Sequence, residues 1–455
     1  MIKLDFSTLL VNRFSEDLCS MLIEEGEQYG LNLNNVERSF EDIFRRMASS
    51  LRILNSEEGR DASFVILIDE YDKPVIDALG SPEMMSKNLN GLNSFLQLVK
   101  AASPAFSFVT GSSRLARAAI FSGDNIREDI SFDPDFNSIC GFTEQEITQN
   151  LKLGTLTLQE LKIWYNGYCF GGDQGIYNPF SIAKAIVHQA IDCYWVKSGT
   201  TKLLAELCGS VSMRDFFIKY VVSSGIQTDF SSLAQSEDVS TLGKSSESLQ
   251  RLFLQSGYLT ISLDPNNFEK CTLRIPNKEI RDHALPSLMI AGLAKISVSK
   301  CHAHFDTFAE AVRSRNLENI YDSIMDLFQV IGFPDRGIID KVEDYYQRIL
   351  QAFFLAICPS VRTEERTSLG KSDVFADFNS WKILFELKVL VGEKSVTEGH
   401  PELDGAIQGA FLQAKEKYER GLLPDVTCVL VFNTSTRTLF PRNSIGVPFY
   451  EIINQ

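Results

Sequence analysis

Two carboxylates and a lysine fall within one short stretch, KSDVFADFNSWKILFELKVL over residues 371–390: Asp373, Glu386 and Lys388. The stretch reads as two strands joined at Asn379-Ser380, and a two-residue loop is a common link between antiparallel neighbours. Counting outward from that turn pairs Phe378 with Trp381, Asp377 with Lys382, Phe375 with Leu384, and Asp373 with Glu386. Alternation sends Val374, Ala376, Phe378, Trp381, Ile383, Phe385, Leu387 and Val389 to one wholly apolar face. The opposite face carries Asp373, Asp377, Lys382, Glu386 and Lys388, with Phe375 and Leu384 between them. Directly opposed residues have Cβ atoms about 4.5–5.5 Å apart, near enough for Asp373 and Glu386 to share one divalent cation. Hard oxygen ligands suit Mg²⁺, with Mn²⁺ as a substitute. Such a metal polarises a phosphate and lowers the pKa of a bound water, and a neighbouring lysine steadies the growing negative charge. The plainer alternative is a solvated face laced with cross-strand ion pairs, and Asp377 with Lys382 fits that description.

A second set of acids closes the apolar run ASFVILIDEYD, residues 62–72. Four apolar residues followed by Asp69-Glu70 suit a buried strand whose end holds a Mg²⁺–nucleotide: one acid orients the metal, the next polarises the attacking water. An apolar strand that merely ends in acids is the alternative.

The elements that must carry these groups follow from spacing. Ile2 to Ser7 is a short strand, followed by helical segments over 15–29 and 39–54. The runs over 62–72 and 106–110, with a helix around 89–102 between them, read as buried parallel strands. Strand, helix, strand, helix, strand gives an α/β layer with its functional edge at the carboxyl ends. Residues 142–286 mix helices with short strands. There Trp164-Tyr165-Asn166-Gly167-Tyr168 suits either a ligand cage or, more commonly, the packing of a small helical lid. Gly257 to Ile261 and Cys271 to Ile275 suggest a hairpin in a winged-helix-like unit, and residues 231–248 a flexible loop. A helix over 338–358 has Val342, Tyr345, Ile349, Leu350, Phe353 and Phe354 at helical spacing. Another over 404–419 carries Gln413 and Tyr418, and Thr427 to Asn433 closes the sheet.

Composition bounds the reading. The chain has 455 residues, with 44% hydrophobic and 23% charged residues, and is long enough for two or three cores. A net charge of −15 argues against a general nucleic-acid coat, although a local basic groove and a metal can still engage DNA. No apolar run reaches the roughly 18 residues of a membrane span, and the first residues lack a signal-peptide layout. The nine cysteines are scattered without a Cys-x-x-Cys, which suits reduced thiols in the cytoplasm. Cys301-His302-Ala303-His304 suggests zinc, but nothing nearby completes a four-ligand set.

Asp373 with Glu386-Leu387-Lys388 resembles the PD-(D/E)XK nuclease superfamily, and Gly370-Lys371-Ser372-Asp373 resembles the entry to that motif. The resemblance implies a Mg²⁺-dependent nuclease domain. Asp373 and Glu386 would be metal ligands there, Lys388 would stabilise charge, and Gln413 and Tyr418 would steady the lysine or touch the DNA backbone. Glu343 matches a place where the superfamily sometimes adds an acid; a surface ion pair is the alternative. Earlier in the chain, Asp69-Glu70-Tyr71-Asp72-Lys73-Pro74 and Phe108-Val109-Thr110-Gly111 resemble a bacterial AAA-ATPase-like family that often carries such a C-terminal domain. Glu128-Asp129-Ile130-Ser131, Gly141-Phe142-Thr143, Trp164 to Tyr168, Tyr177-Asn178-Pro179-Phe180, Ser256 to Thr260 and Ile275-Pro276-Asn277-Lys278-Glu279 continue the resemblance. It implies a degenerate ATP site at Asp69, Glu70 and Thr110, with Arg114 facing phosphates or, as its alternative, starting a helix with a salt bridge.

One departure weighs against ATP hydrolysis. The phosphate loop Gly-x-x-x-x-Gly-Lys-Ser/Thr is incomplete at both Gly-Lys-Ser copies, Gly243-Lys244-Ser245 and Gly370-Lys371-Ser372, because Asp238 and Glu365 replace the first glycine. In the family that loop precedes the strand resembled by IKLDFS, so the expectation is an ATPase-like module shortened at its N-terminus. The expected architecture is therefore α/β throughout. Residues 1–141 form a truncated, parallel-sheet P-loop-NTPase-like core, 142–299 a helical, winged-helix-like lid, and 300–455 an α/β PD-(D/E)XK nuclease-like domain. The leading expectation is a cytoplasmic Mg²⁺-dependent nuclease acting on DNA. The rivals are an ATP-binding AAA-like protein and a non-catalytic regulatory protein with relic sites. A protein partner or an oligomer stays open.

Overall fold

Val65–Asp69 is apolar on both faces of the strand, the pattern of a strand buried inside a parallel sheet, and in the computed structural model of the protein it is the middle strand of one. The structure describes residues 1–33, 39–59, 61, 63–78, 81–113, 128–172, 174–195, 204, 225–233, 245–264, 267–294, 298–331, 342–357, 362–363, 374–378, 381–390, 400–419, 424–436 and 438–443. The strands are β1 (Ile2–Asp5), β2 (Val65–Asp69), β3 (Phe106–Val109), β4 (Ile226–Asp229), β5 (Thr260–Asp264), β6 (Asn267–Arg274), β7 (Arg362–Thr363), β8 (Val374–Asp377), β9 (Lys382–Leu390), β10 (Val426–Asn433) and β11 (Thr438–Asn443). The main helices are α1 (Phe14–Glu27), α2 (Phe40–Glu57), α3 (Pro82–Ala101), α4 (Glu144–Asn150), α5 (Leu158–Tyr165), α6 (Pro179–His188) and α7 (Ser246–Gln255). They continue with α8 (Leu285–Ala294), α9 (Val298–Arg313), α10 (Leu317–Val330), α11 (Val342–Ile357) and α12 (Pro401–Glu419). Among the described residues, no helix is long and apolar enough to cross a membrane.

Contacts divide this mixed α/β chain into two units. The first comprises Met1–Asn137, Phe170–Gly172 and Gln227–Leu273; the second comprises Ser138–Cys169, Asp173–Ile226 and Arg274–Gln455. In the first unit the parallel sheet runs β1-β2-β3, with Asp5 beside Asp69 and Ile68 beside Val109. Its core is aromatic: Phe95 of α3 meets Phe6, Phe40 and Phe44 with ring centroids 6.0, 6.2 and 5.3 Å away. Burial of these large side chains fixes α2 and α3 against the sheet. Helix α3 begins well before the position expected from hydrophobic spacing, because Ser81 caps it and Pro82 starts its first turn. The same unit holds a second sheet of order β4-β6-β5. The segment expected as a loop contains a helical turn at Phe230–Leu233 and the start of α7, whose N-cap is Ser245; residues 234–244 lie outside the described residues.

The second unit contains a five-stranded sheet of order β11-β10-β9-β8-β7. The hairpin register is the one counted from Asn379-Ser380: Asp377 pairs with Lys382, Phe375 with Leu384 and Val374 with Phe385. Strands β9 and β10 are parallel, and the segment between them includes α12, as a parallel pair requires a crossover. One sheet face meets α11 and α10, through Phe354 on Phe385 at 4.8 Å and Phe328 on Phe432 at 5.1 Å. The other face meets α12, where Ala414 packs on Phe375 and Leu384, and Phe411 joins a cluster with Val429 and Val431. Two expectations are corrected here. The face of β9 that carries Leu384 and Glu386 is buried under α12 rather than solvated, because Phe375, Leu384, Val429 and Val431 make it apolar enough to take a helix. Strand β10 does not close the sheet, because β11 pairs with it antiparallel on its outer side.

Candidate functional site

Glu386 lies in the middle of β9, opposite Val429 of β10, and is 0% exposed. A carboxylate is rarely buried in a sheet without a role, since removing its charge from water costs several kcal/mol, on the order of the whole net stability of a small domain. Lys388 follows two residues later on the same face, opposite Val431. Its Nζ donates to Glu343 Oε1 of α11 at 3.4 Å. Glu343 thus forms an ion pair with Lys388. Gln413 is carried by α12, which packs on β9, and its amide Oε1 is buried and accepts no hydrogen bond among the described residues. Asp373 lies outside the described residues, as do Gly370-Lys371-Ser372 and the loop Asn379-Ser380. Tyr418 is in α12. Glu386, Glu343 and the Gln413 amide oxygen are all hard donors, of the kind Mg²⁺ takes. Among the described residues no three His, Cys, Asp or Glu side chains gather into a metal cluster.

At the carboxyl end of the first unit's parallel sheet, Asp69 stands exposed beside Asp5. Its Oδ1 accepts from the Glu70 backbone N–H at 3.0 Å and from the Thr110 hydroxyl. Backbone bonds lock the two strand ends together, Thr110 N–H to Ile68 O at 2.8 Å and Tyr71 N–H to Thr110 O at 3.0 Å. Glu70 has left-handed backbone, φ 51°, which costs a non-glycine residue about 1 kcal/mol or more. Burial, then the neighbouring charges of Asp72 and Asp69, push the Glu70 carboxyl above the ordinary range. The structure therefore brings Asp69, Glu70 and Thr110 together. Arg114 lies outside the described residues.

Sequence reasoning did not single out the residue that organises this edge. Asp72 is 0% exposed and accepts four hydrogen bonds, from Ser112 N–H at 3.1 Å, Ser112 Oγ at 3.2 Å, and Ser113 N–H and Oγ both at 2.6 Å. Burial raises its pKa, and the serine donors pull the other way. Gly111 lets the loop come this close: a Cβ there would sit 2.5 Å from both Asp72 Oδ1 and the Tyr71 ring. The available signal was the run of an acid, a glycine and two serines, Asp72 with Gly111-Ser112-Ser113, at the ends of adjacent strands.

This edge, a parallel sheet with acids at its carboxyl end, is the part of the molecule for which comparison finds a class. Residues 1–121 match a family described as AAA-ATPase-like, "Predicted AAA-ATPase". The chain is also 28% identical over 333 residues to the "Uncharacterized protein in vnfD 5'region" of Azotobacter chroococcum mcd 1, a match that covers 72% of this chain. It spans 62% of the length of that curated relative. No solved structure matches.

Proposed function

We propose that the β8–β9 hairpin carries a metal-dependent phosphodiesterase site acting on DNA. The observation that supports it is the hairpin register, Val374 opposite Phe385 as the sequence count has it, with the buried Glu386 and Lys388 on one face of β9. Asp373 and Glu386 would hold Mg²⁺ or Mn²⁺, with the Gln413 amide oxygen and Glu343 as further hard donors. When bound, the metal supplies Lewis-acid activation of phosphate and water. Lys388 places its ammonium beside the phosphate and stabilises the charge that develops there, and Glu343 orients that ammonium. Sheet and helix exclude bulk water around Glu386, which strengthens these interactions. The test is incubation of the full chain with plasmid DNA and Mg²⁺ or Mn²⁺, beside Asp373→Ala and Lys388→Ala. Nicking or linearisation is expected from the wild type, with a loss of about a hundredfold in Lys388→Ala. Intact plasmid under every condition overturns the reading.

The family match over residues 1–121 favours a second reading for the other edge. Asp69, Glu70 and Thr110 would bind a Mg²⁺–nucleotide without turning it over rapidly, since neither Gly-Lys-Ser copy completes a phosphate loop. Isothermal titration with ATP and Mg²⁺ checks this. Measurable heat that disappears in Asp69→Ala is expected, and no heat removes the reading.

A further inference from the structure

Within the second unit, three stretches marked in the sequence only by short aromatic and Asn-containing motifs meet around one carboxylate. Glu279 is 0% exposed. Its Oε2 accepts from Ser181 Oγ of α6 at 2.8 Å, and its Oε1 from the Trp195 backbone N–H at 2.7 Å, with the Tyr194 N–H as a further donor. Tyr165 at the end of α5 secures the same segment, donating to Asp192 O at 2.8 Å and accepting from Asp192 N–H at 3.1 Å. Asn178 caps α6 by accepting from Phe180 and Ser181 N–H. Gly167 has φ 108°, and a Cβ there would lie 2.2 Å from Pro276 O, so only glycine lets this turn meet the strand of residues that leads to Glu279. Directly after Glu279 the chain makes a five-residue π-helical turn, Ile280–Ala284, a wide form that costs energy and recurs at functional places.

We propose that Glu279 is a proton-operated latch on the Asp192–Trp195 segment, closed while its carboxyl is protonated and loosened when it ionises. The geometry accommodates the closed form: the Trp195 amide donates to Oε1, while the protonated Oε2 donates to Ser181 Oγ across the same 2.8 Å. The ionised form keeps its donors but holds a charge inside the protein. Among the described residues, the groups shown to act on that charge include no cation. They are Tyr165 and Tyr168 from α5 and the turn after it, and Asp192 from the latched segment, whose charge adds to the repulsion. Cys193 lies beside Tyr168. Lys278, next in sequence, places its Nζ 4.9 Å over the Trp164 ring instead. Burial pushes the Glu279 carboxyl up to about 7, with the Trp195, Ser181 and Tyr194 donors opposing that rise. Opening the segment returns the carboxyl to water and to its ordinary range. Rising pH therefore favours the open form, and the effect is complete only above about pH 7.

The test is hydrogen exchange of the Tyr194 and Trp195 amides in the full chain, expressed as protection factors to remove the intrinsic pH dependence of exchange. Between an ordinary carboxyl near 4.5 and a latched one at about 7, linkage predicts that protection falls about tenfold between about pH 6 and pH 8. Glu279→Gln, which keeps the shape and can still donate to Ser181, should hold protection level across that range. His283 stacks on Trp164 at 5.3 Å in the turn that follows Glu279, so His283→Gln is the companion variant; it should leave the slope intact. Level wild-type protection overturns the latch, as does a slope that persists in Glu279→Gln or vanishes in His283→Gln. Should Glu279→Gln fail to fold, the side-chain carboxyl titration of Glu279 followed by carbon NMR in the wild type decides: a midpoint in the ordinary carboxylate range overturns it.

Discussion

The two acidic strand sites solve the same problem in opposite ways. Asp69 sits at the last residue of β2, in solvent, and is steadied by the Glu70 N–H next to it and by the Thr110 hydroxyl from the end of the neighbouring strand. Glu386 sits mid-strand, 0% exposed, on a face that α12 covers through a largely apolar cluster. A strand end exposes its acids at little desolvation cost, so one loop can organise it. A buried carboxylate needs compensation gathered from several elements, and the groups around this one are carried by β9, α11 and α12, far apart in sequence. The first arrangement tolerates loss of a partner, and the second depends on having them all.

That contrast can be broken most directly at Glu386. Glu386→Gln keeps the volume and removes the charge, so cleavage is expected to fall by more than about a hundredfold. Unfolding of the second unit should stay within about 1 kcal/mol of wild type, because neutralising a buried charge is seldom destabilising. A large loss of stability with cleavage retained would reverse the assignment of roles. At the other edge the buried acid is Asp72. Asp72→Ala leaves four serine donors without their acceptor and should cost about 2–3 kcal/mol in denaturant unfolding of the first unit; a change below about 0.5 kcal/mol would show that water replaces it freely. Gly111→Ala tests the closeness of that loop, with an expected loss of about 1–2 kcal/mol as Tyr71 and Asp72 shift away from the new methyl. The smallest effect belongs to Lys382→Ala. Its ammonium lies 3.9 Å from Asp377 with both side chains well exposed, and removal should change stability by no more than about 0.5 kcal/mol.

How far the sequence could be read depended on the range of the interactions. The apolar run ending at Asp69 and the pairing of Asp377 with Lys382 follow from period and turn length, which are local, and both stand in the structure as counted. Thr143 with Glu146 and Thr157 with Glu160 form capping boxes that mark helix starts more sharply than hydrophobic spacing does. The cover of α12 over Glu386 was not legible, because a face with both charges and apolar residues looks solvated until Val429 and Val431 from β10 join it. The same holds for Asp72, whose four donors lie forty residues away, and for Glu279, whose partners come from α6 and from the backbone N–H of Trp195.

Lys388 is already leaning on Glu343 when any anion arrives. An incoming phosphate must out-compete a carboxylate that is tethered in place and never diffuses away. A lone phosphate has little means to do so, whereas a polymer that is also gripped at neighbouring phosphodiesters can win the ammonium by sheer proximity. On the reading proposed above, the Lys388–Glu343 pair would act as a filter for length, turning away small phosphates while admitting strands.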